Sequence, residues 1–202
     1  MESSGLVRCP WAWGELLTAY HDREWGVPAT TDRDHLELLC LEGAQAGLSW
    51  LTVLRRRDRY RSQMLGFDPR RLAALPDFEV ERWLSDPGLI RNRAKLQSVL
   101  DNARALVRLT PEWGSFSNYL AQGIGLAPQR NRWLHQGEVP AETDASRELS
   151  RELRRRGFHF VGPTICYAYM QSAGLVNDHL VGCFRWTELV EPPGSPAPTP
   201  AG

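Results

Sequence analysis

The amino-acid sequence predicts an all-α protein, on three observations. Between Arg91 and Leu109 the apolar residues Leu96, Val99, Leu100, Ala103, Leu106 and Val107 recur at helical spacing, with Arg, Asp, Asn and Gln opposite them. Helix start and stop residues punctuate the rest of the chain. No run alternates apolar and polar residues convincingly with β-branched content, so little or no sheet is expected.

Taken in order, Asp32 stands before Leu36, Leu39 and Cys40 as a helix start, and Ser49 before Trp50, Leu51, Val53 and Leu54. Asp68-Pro69 pairs an N-cap with a proline at the first helical position, where the missing N–H costs nothing. The helix from Arg91 to Leu109 follows. Residues Gln122 to Glu142 are rich in Gly, Pro and polar side chains and predict a long surface loop. Thr143-Asp144 opens a helix that runs to Arg156 and stops at Gly157, a residue that accepts the left-handed C-cap conformation. Pro163 opens another, ending near Gly174. We expect one domain over residues 1–190, followed by a disordered Pro-rich tail at 191–202 that cannot bury a core.

With 202 residues the chain suffices for one sizeable core, or two small lobes that share one. No stretch approaches the ~18 consecutive apolar residues of a membrane span. The first ten residues lack the basic and apolar regions of a signal peptide, so the cytoplasm is the default expectation. Lys+Arg and Asp+Glu both number 24, so no net field draws polyanions and any nucleic-acid contact must come from a local patch. Lys95 is the only lysine, and it sits in Arg91-Asn92-Arg93-Ala94-Lys95, which reads as a basic, solvated face. In a cytosolic setting four cysteines leave packing, metal or catalysis as their uses. Cys40 and Cys166 lie in apolar helical runs and read as small hydrophobes.

Three constellations bear chemistry. A basic helix end, the turn Gly157-Phe158-His159-Phe160-Val161-Gly162 and a helix opened by Pro163-Thr164 suit a helix-hairpin-helix. In that arrangement glycine lets the backbone approach a phosphate, and the helix start supplies N–H groups and the positive dipole end. An ordinary αα-hairpin capped by glycine reads as well from this segment alone. Cys9 and His21 (Cys-x11-His) together with His179 and Cys183 (His-x3-Cys) make a closed two-thiolate, two-imidazole set for structural zinc. Neither spacing is diagnostic, since a lone His-x3-Cys arises by chance, but together the four tie the two ends of the chain. Glu42, at the end of an apolar helix near a glycine-rich turn and Trp50, is either a solvated helix-end carboxylate or part of a site for an amine-bearing ring.

These residues belong to longer blocks that occur in one order: Tyr20-His21-Asp22-Arg23-Glu24-Trp25-Gly26-Val27-Pro28, then Leu41-Glu42-Gly43 through Gly47-Leu48-Ser49-Trp50, then Gly157-Phe158 through Phe160-Val161-Gly162, then Gly174-Leu175-Val176-Asn177-Asp178-His179. Together they resemble the bacterial type I 3-methyladenine DNA glycosylases, over about Cys9 to Cys183. The resemblance implies a helix-hairpin-helix glycosylase of two helical lobes, with a DNA-facing cleft between them. It implies a structural zinc, one per chain, on Cys9, His21, His179 and Cys183. Glu42 takes the catalytic position and, with Tyr20 and Trp50, the base pocket; Trp11 and Trp25 are further candidates for its walls. Gly47 and Leu48 match the turn that fills the gap left in the duplex, and Gly157, Val161, Gly162 and Thr164 belong to the DNA-binding hairpin. Ala44 departs from the glutamine of the family, which puts polar contacts from that turn in doubt.

The implied reaction is hydrolysis of the glycosidic bond of 3-methyladenine in double-stranded alkylated DNA by a monomer, with release of the free base. The wider superfamily usually places an Asp after the hairpin. Alignment through His179 puts Asn177 there, with Asp178 one residue off and expected to point elsewhere. Lyase members carry a lysine where this chain has Thr164, so a Schiff-base lyase is not expected. The competing reading is a zinc-stabilised module that binds damaged DNA without cutting it; release of the free base separates the two.

Overall fold

Leu96, Val99, Leu100, Ala103 and Leu106 make one face of the longest helix, α7 (Arg93–Trp113), and all five are buried. Each contributes roughly 1.5–3 kcal/mol if fully removed from water, less for alanine, which is why this helix is the spine of the molecule. Asn92 caps it by accepting from the Lys95 N–H at 3.1 Å. It runs beyond the expected end at Leu109, through Pro111 to Gly114, whose φ of 76° ends it. Proline so near a C-terminus removes only one late hydrogen bond, so the helix tolerates it.

The computed structural model describes residues 5–189. The expected tail at 191–202 lies outside them. Around α7 are α1 (Gly14–Arg23), α2 (Asp32–Gln45), α3 (Trp50–Leu54), α4 (Arg57–Gln63), α5 (Pro69–Ala73), α6 (Glu79–Leu84), α8 (Phe116–Asn118), α9 (Asp144–Arg155), α10 (Pro163–Ser172) and α11 (Phe184–Glu188). Ser49, Asp68 and Thr143 cap α3, α5 and α9 as expected. For α2 the cap is Thr31 rather than Asp32: its hydroxyl accepts from Asp34 N–H, and Asp34 answers with a bond from Thr31 N–H. Helices α1, α4, α6, α8 and α11 carry no start signal singled out above. Of these, α1, α4, α6 and α11 have no side-chain capping bond, which is why they went unmarked.

One core joins α2, α7, α9 and α10 through Leu36, Leu39, Val99, Leu153, Tyr167 and Tyr169. Cys40 and Cys166 lie inside it, and burial pushes both thiols up to about 12, so they are inert apolar filler. A satellite cluster gathers Cys9, Leu180 and Cys183, and another gathers Leu17, Tyr20 and Leu54. The expected surface loop is exposed over most of its length, yet it contains β1 (Gln129–Arg130), which pairs in parallel with β2 (Val176–Asn177). This two-residue ladder is the sheet found among the described residues. No helix among them is long and apolar enough to cross a membrane.

Candidate active site

The two chain ends meet through backbone. Gly174 has φ of 70°, and a Cβ there would lie 2.6 Å from Pro28 N and 2.8 Å from Gly26 O. Only glycine admits the Gly26–Pro28 segment at that distance, and Ala29 N–H then donates to Ala173 carbonyl at 3.0 Å. This contact brings α1 and its following loop against the segment that carries His179.

Cys9, His21, His179 and Cys183 converge there, all buried, with their ligand atoms within 4.8 Å of one another. Cys183 Sγ is 3.4 Å from His21 Nε2 and 3.6 Å from His179 Nδ1. Cys9 Sγ is 3.7 Å from His179 Nδ1, and the two ring nitrogens are 3.2 Å apart. A tetrahedral ion with N and S ligands needs separations of about 3.3–3.8 Å, close to these four, so this donor set could hold a metal ion. The outer nitrogens are held as well. His179 Nε2 donates to the Trp25 carbonyl at 3.1 Å, and His21 Nδ1 donates to Asp22 at 2.8 Å. Those acceptors fix both tautomers, leaving His179 Nδ1 and His21 Nε2 as lone pairs facing the cluster. Asp22 is itself gripped by Arg8 at 2.8–3.0 Å.

Beside the cluster lies a cleft of about 660 Å³, lined by Trp11, Tyr20, Trp25, Glu42 and Trp50. All five candidate pocket residues thus share one cavity. Trp11 and Trp25 meet edge to face at 5.0 Å, and Tyr20 and Trp50 are 5.3 Å apart. Glu42 is 4% exposed, so it is no solvated helix end. Burial pushes its carboxyl up to about 8, partly offset by a hydrogen bond with Ser172. Burial, with the nearby Glu42, also holds the Tyr20 phenol well above its usual range, so the hydroxyl keeps its proton. That hydroxyl and Trp50 Nε1 are buried without a hydrogen-bond partner. Buried polar groups are almost always paired, so these two groups leave a pair of donors in the cleft open to a polar ligand. Among the described residues lining the cleft, Glu42 is the only acid.

The sequence reading did not find Gln136, Val139 and Gln171, which also line this cavity. The first two come from the long loop, where no periodicity could point at them. Gln171 carries a legible chemical constraint only in the fold: its Nε2 donates to Asp178 at 2.8 Å. Asp178 is buried and also accepts from Asn131, Trp133 and Tyr167 at 2.5–2.8 Å. It does not itself line the cleft, and its carboxylate is taken up by this network. Asn177 is occupied too, donating to the carbonyls of Trp186 and Leu189 at 3.3 and 3.4 Å and accepting from His179 N–H.

The hairpin residues hold a second turn. Gly157 has φ of 86°, and Gly162 precedes α10 with Thr164 exposed on its first turn. Val161 is in the core and its carbonyl accepts from Ser150 Oγ at 2.6 Å, so its side chain is not at the surface. Gly47 has φ of 76° and turns the chain after α2, leaving Leu48 42% exposed. One expectation holds only in part: Arg91, Asn92, Arg93 and Ala94 are exposed, but the lysine that ends the stretch is not. Lys95 is not on a solvated face: its Nζ donates to the carbonyls of Ala44 at 2.9 Å and Ala46 at 2.5 Å. Those carbonyls lie at the C-terminus of α2, where a helix leaves acceptors unsatisfied and attracts a cation.

Comparison with known proteins gives the family and the fold. A family model described as methyladenine glycosylase matches residues 11–186. The chain is 46% identical over 179 residues to DNA-3-methyladenine glycosylase 1 of Escherichia coli K12, covering 88% of this chain and 96% of that one. It is 42% identical to the DNA-3-methyladenine glycosylase of Haemophilus influenzae Rd, with the same coverage. A crystal structure of 3-methyladenine DNA glycosylase I at 46% identity superposes with a TM-score of 0.84, covering 88% of this chain and 98% of the other. A tyrosine-to-phenylalanine variant of such an enzyme in complex with 3-methyladenine superposes with a TM-score of 0.83 at 28% identity, covering 87% and 95%.

Proposed function

The chain belongs to the methyladenine glycosylase family, and from that premise we propose how its aromatic cleft excises 3-methyladenine from alkylated DNA. The activity is hydrolysis of the N-glycosyl bond, with an abasic site left behind. A purine methylated at N3 is a cation, so its glycosidic bond already has a good leaving group. The protein therefore needs to capture the flipped base more than to push on it, and a poorly stacked damaged base costs less to extrude.

Each cleft residue has a part in that capture. The faces of Trp11, Trp25 and Trp50 favour a cationic ring over a neutral one, by roughly 0.5–2 kcal/mol when water is excluded. Glu42, the catalytic residue of this proposal, accepts from the exocyclic amine as a carboxylate; the incoming cation offsets the burial that otherwise keeps it protonated. Tyr20 donates its orphaned hydroxyl to a ring acceptor and fixes the orientation. The observation that carries the proposal is this unpaired Tyr20 hydroxyl in a cavity whose one acid is buried Glu42.

The remaining assignments follow the same reading. Cys9, His21, His179 and Cys183 would hold a zinc ion, which supplies a closed four-ligand clip between the chain ends and no open position for chemistry. Val161, Gly162 and Thr164 at the start of α10 would offer backbone N–H groups to a phosphate, as a helix-hairpin-helix does, while Gly157, whose own N–H donates to the Arg154 carbonyl, turns the chain for them. Gly47 and Leu48 would enter the duplex in place of the flipped base. Residues 1–190 then act as one two-lobed domain, a cytoplasmic monomer on double-stranded DNA.

The direct test is chromatographic detection of free 3-methyladenine released from alkylated duplex. Wild type should release it, and Glu42→Gln should do so at least about tenfold more slowly, the scale of a lost charged hydrogen bond. Equal release by both proteins would remove Glu42 from the chemistry.

A further inference from the structure

The one lysine of the chain is committed to backbone, and its place on α7 gives that bond a purpose. Lys95 reaches the last carbonyls of α2, from Ala44 and Ala46, at 2.9 and 2.5 Å. The next residues are Gly47 and the exposed Leu48, whose N–H folds back on Gln45 carbonyl at 2.6 Å. Seven residues along α7, on the same helical face, Asn102 grips the hairpin turn. It donates to His159 carbonyl at 3.1 Å and accepts from His159 N–H at 2.7 Å. The C-terminal end of α2, which leads into that turn, also packs on the hairpin: a Cβ on Gly43 would lie 3.1 Å from Phe160 Cβ. One rigid helix therefore fixes the turn of Gly47 and Leu48 relative to the hairpin.

We propose that Lys95 is a positioning residue for DNA interrogation, holding the Ala46–Leu48 turn at a set distance from the phosphate-binding hairpin. It rests on the reading of that turn as the segment that enters the duplex. A side chain that fills a gap in stacked bases must resist being pushed back, and the turn has Gly47 as a natural pivot. Two charge-assisted bonds from Lys95 stiffen the residues just ahead of that pivot. Lys95 makes no contact with substrate in this role, and its amine is not free to attack a sugar.

The test compares three ligands on one set of variants: free 3-methyladenine, undamaged duplex, and duplex carrying a tetrahydrofuran abasic-site analogue. Lys95→Met keeps the aliphatic stem and removes both bonds. It should weaken abasic-duplex binding about tenfold, as expected for lost hydrogen bonds to a charged group, while free-base affinity stays within about twofold. The double variant Lys95→Met, Leu48→Ala should bind abasic duplex no worse than Leu48→Ala alone, because the two residues act through one turn. An equal loss of free-base affinity in Lys95→Met would make the lysine a general support of the pocket and overturn the proposal. Additive losses in the double variant would overturn it as well. If Leu48→Ala itself leaves abasic-duplex binding unchanged, the reading of the turn fails, not only the part given to Lys95. Should Lys95→Met not fold, acetylation of the folded wild-type chain reaches the same side chain, its only lysine. Lys95→Arg treated identically controls for the terminal amine, and selective loss of abasic-duplex binding is again the expected result. No selective loss overturns the proposal.

Discussion

His179 supports Trp25 in two ways at once: its Nε2 donates to the Trp25 carbonyl at 3.1 Å, and its ring meets the indole edge to face at 4.5 Å. The other ring nitrogen faces the thiol–imidazole cluster. A wall of the cleft is therefore built on a candidate metal ligand, and the cleft and the thiol–imidazole cluster are joined through that residue.

This relationship predicts that metal occupancy of the cluster and base binding change together. Elemental analysis of purified protein should give about one zinc per chain, since the donor set is complete at four. Stripping the metal with a chelator should lower both the melting temperature and the affinity for free 3-methyladenine. Zinc retained undiminished in Cys9→Ala, Cys183→Ala would refute the ligand assignment.

Glu42 gives a pH dependence with a definite sign. Burial raises its carboxyl to about 8 in the folded chain, against a usual value near 4.3. A raised acid stabilises the fold below its unfolded pKa, and that contribution is lost as pH rises from about 4 to 8. Glu42→Gln should therefore be more stable than wild type at pH 9, as read by thermal melts, with the advantage gone at pH 4. Affinity for the cationic base in DNA runs the other way. It should rise with pH through this range in wild type and be flat in the glutamine variant, as titrations across the range would reveal.

Tyr20→Phe should separate stability from function. The hydroxyl is buried without a partner, and such a group costs the folded state free energy. Removing it should raise the melting temperature while weakening 3-methyladenine binding by roughly two- to tenfold, the worth of one neutral hydrogen bond. A variant that binds the base as well as wild type would show that the phenol is wall and not donor. Trp50→Ala, which removes a whole aromatic face, should cost more than tenfold in free-base titrations, on the order of a core aromatic contact.

The product should be an intact abasic site. Strand cleavage by a glycosylase requires an amine that forms an imine with the sugar, and the hairpin position that would serve is Thr164. Lys95 Nζ is bound to two carbonyls. Scission should thus appear only after added alkali, and borohydride should trap no protein–DNA adduct. An adduct that survives blocking of the terminal amine and disappears in Lys95→Ala would overturn this.

Local chemistry made much of the fold legible. Ser49, Asp68 and Thr143 mark helix starts because a side-chain oxygen before a helix satisfies N–H groups the helix leaves free. The buried face of α7 was readable for the same kind of reason: helical spacing puts residues three and four apart on one side. The pocket residues Tyr20, Glu42 and Trp50 were reachable through the ordered blocks that contain them, not through spacing. Helices such as α4 and α6, with no side-chain cap, gave no such signal.

The sequence by itself determined the helical class, the principal capped helices and the set of residue types available for chemistry, because propensity, capping and periodicity act over a few residues. Only the tertiary structure decided what those residues experience. Glu42 is a buried acid instead of a solvated one because α2 ends inside an aromatic cleft. Lys95 is a clamp instead of a surface charge because α7 passes the C-terminus of α2. Gln171 faces the cleft with its amide held by Asp178, a bond that no local pattern encodes. Hydrogen-bond partner and access to a ligand depend on which elements the fold brings together, as it brings Lys95 to Ala44 and His21 to His179.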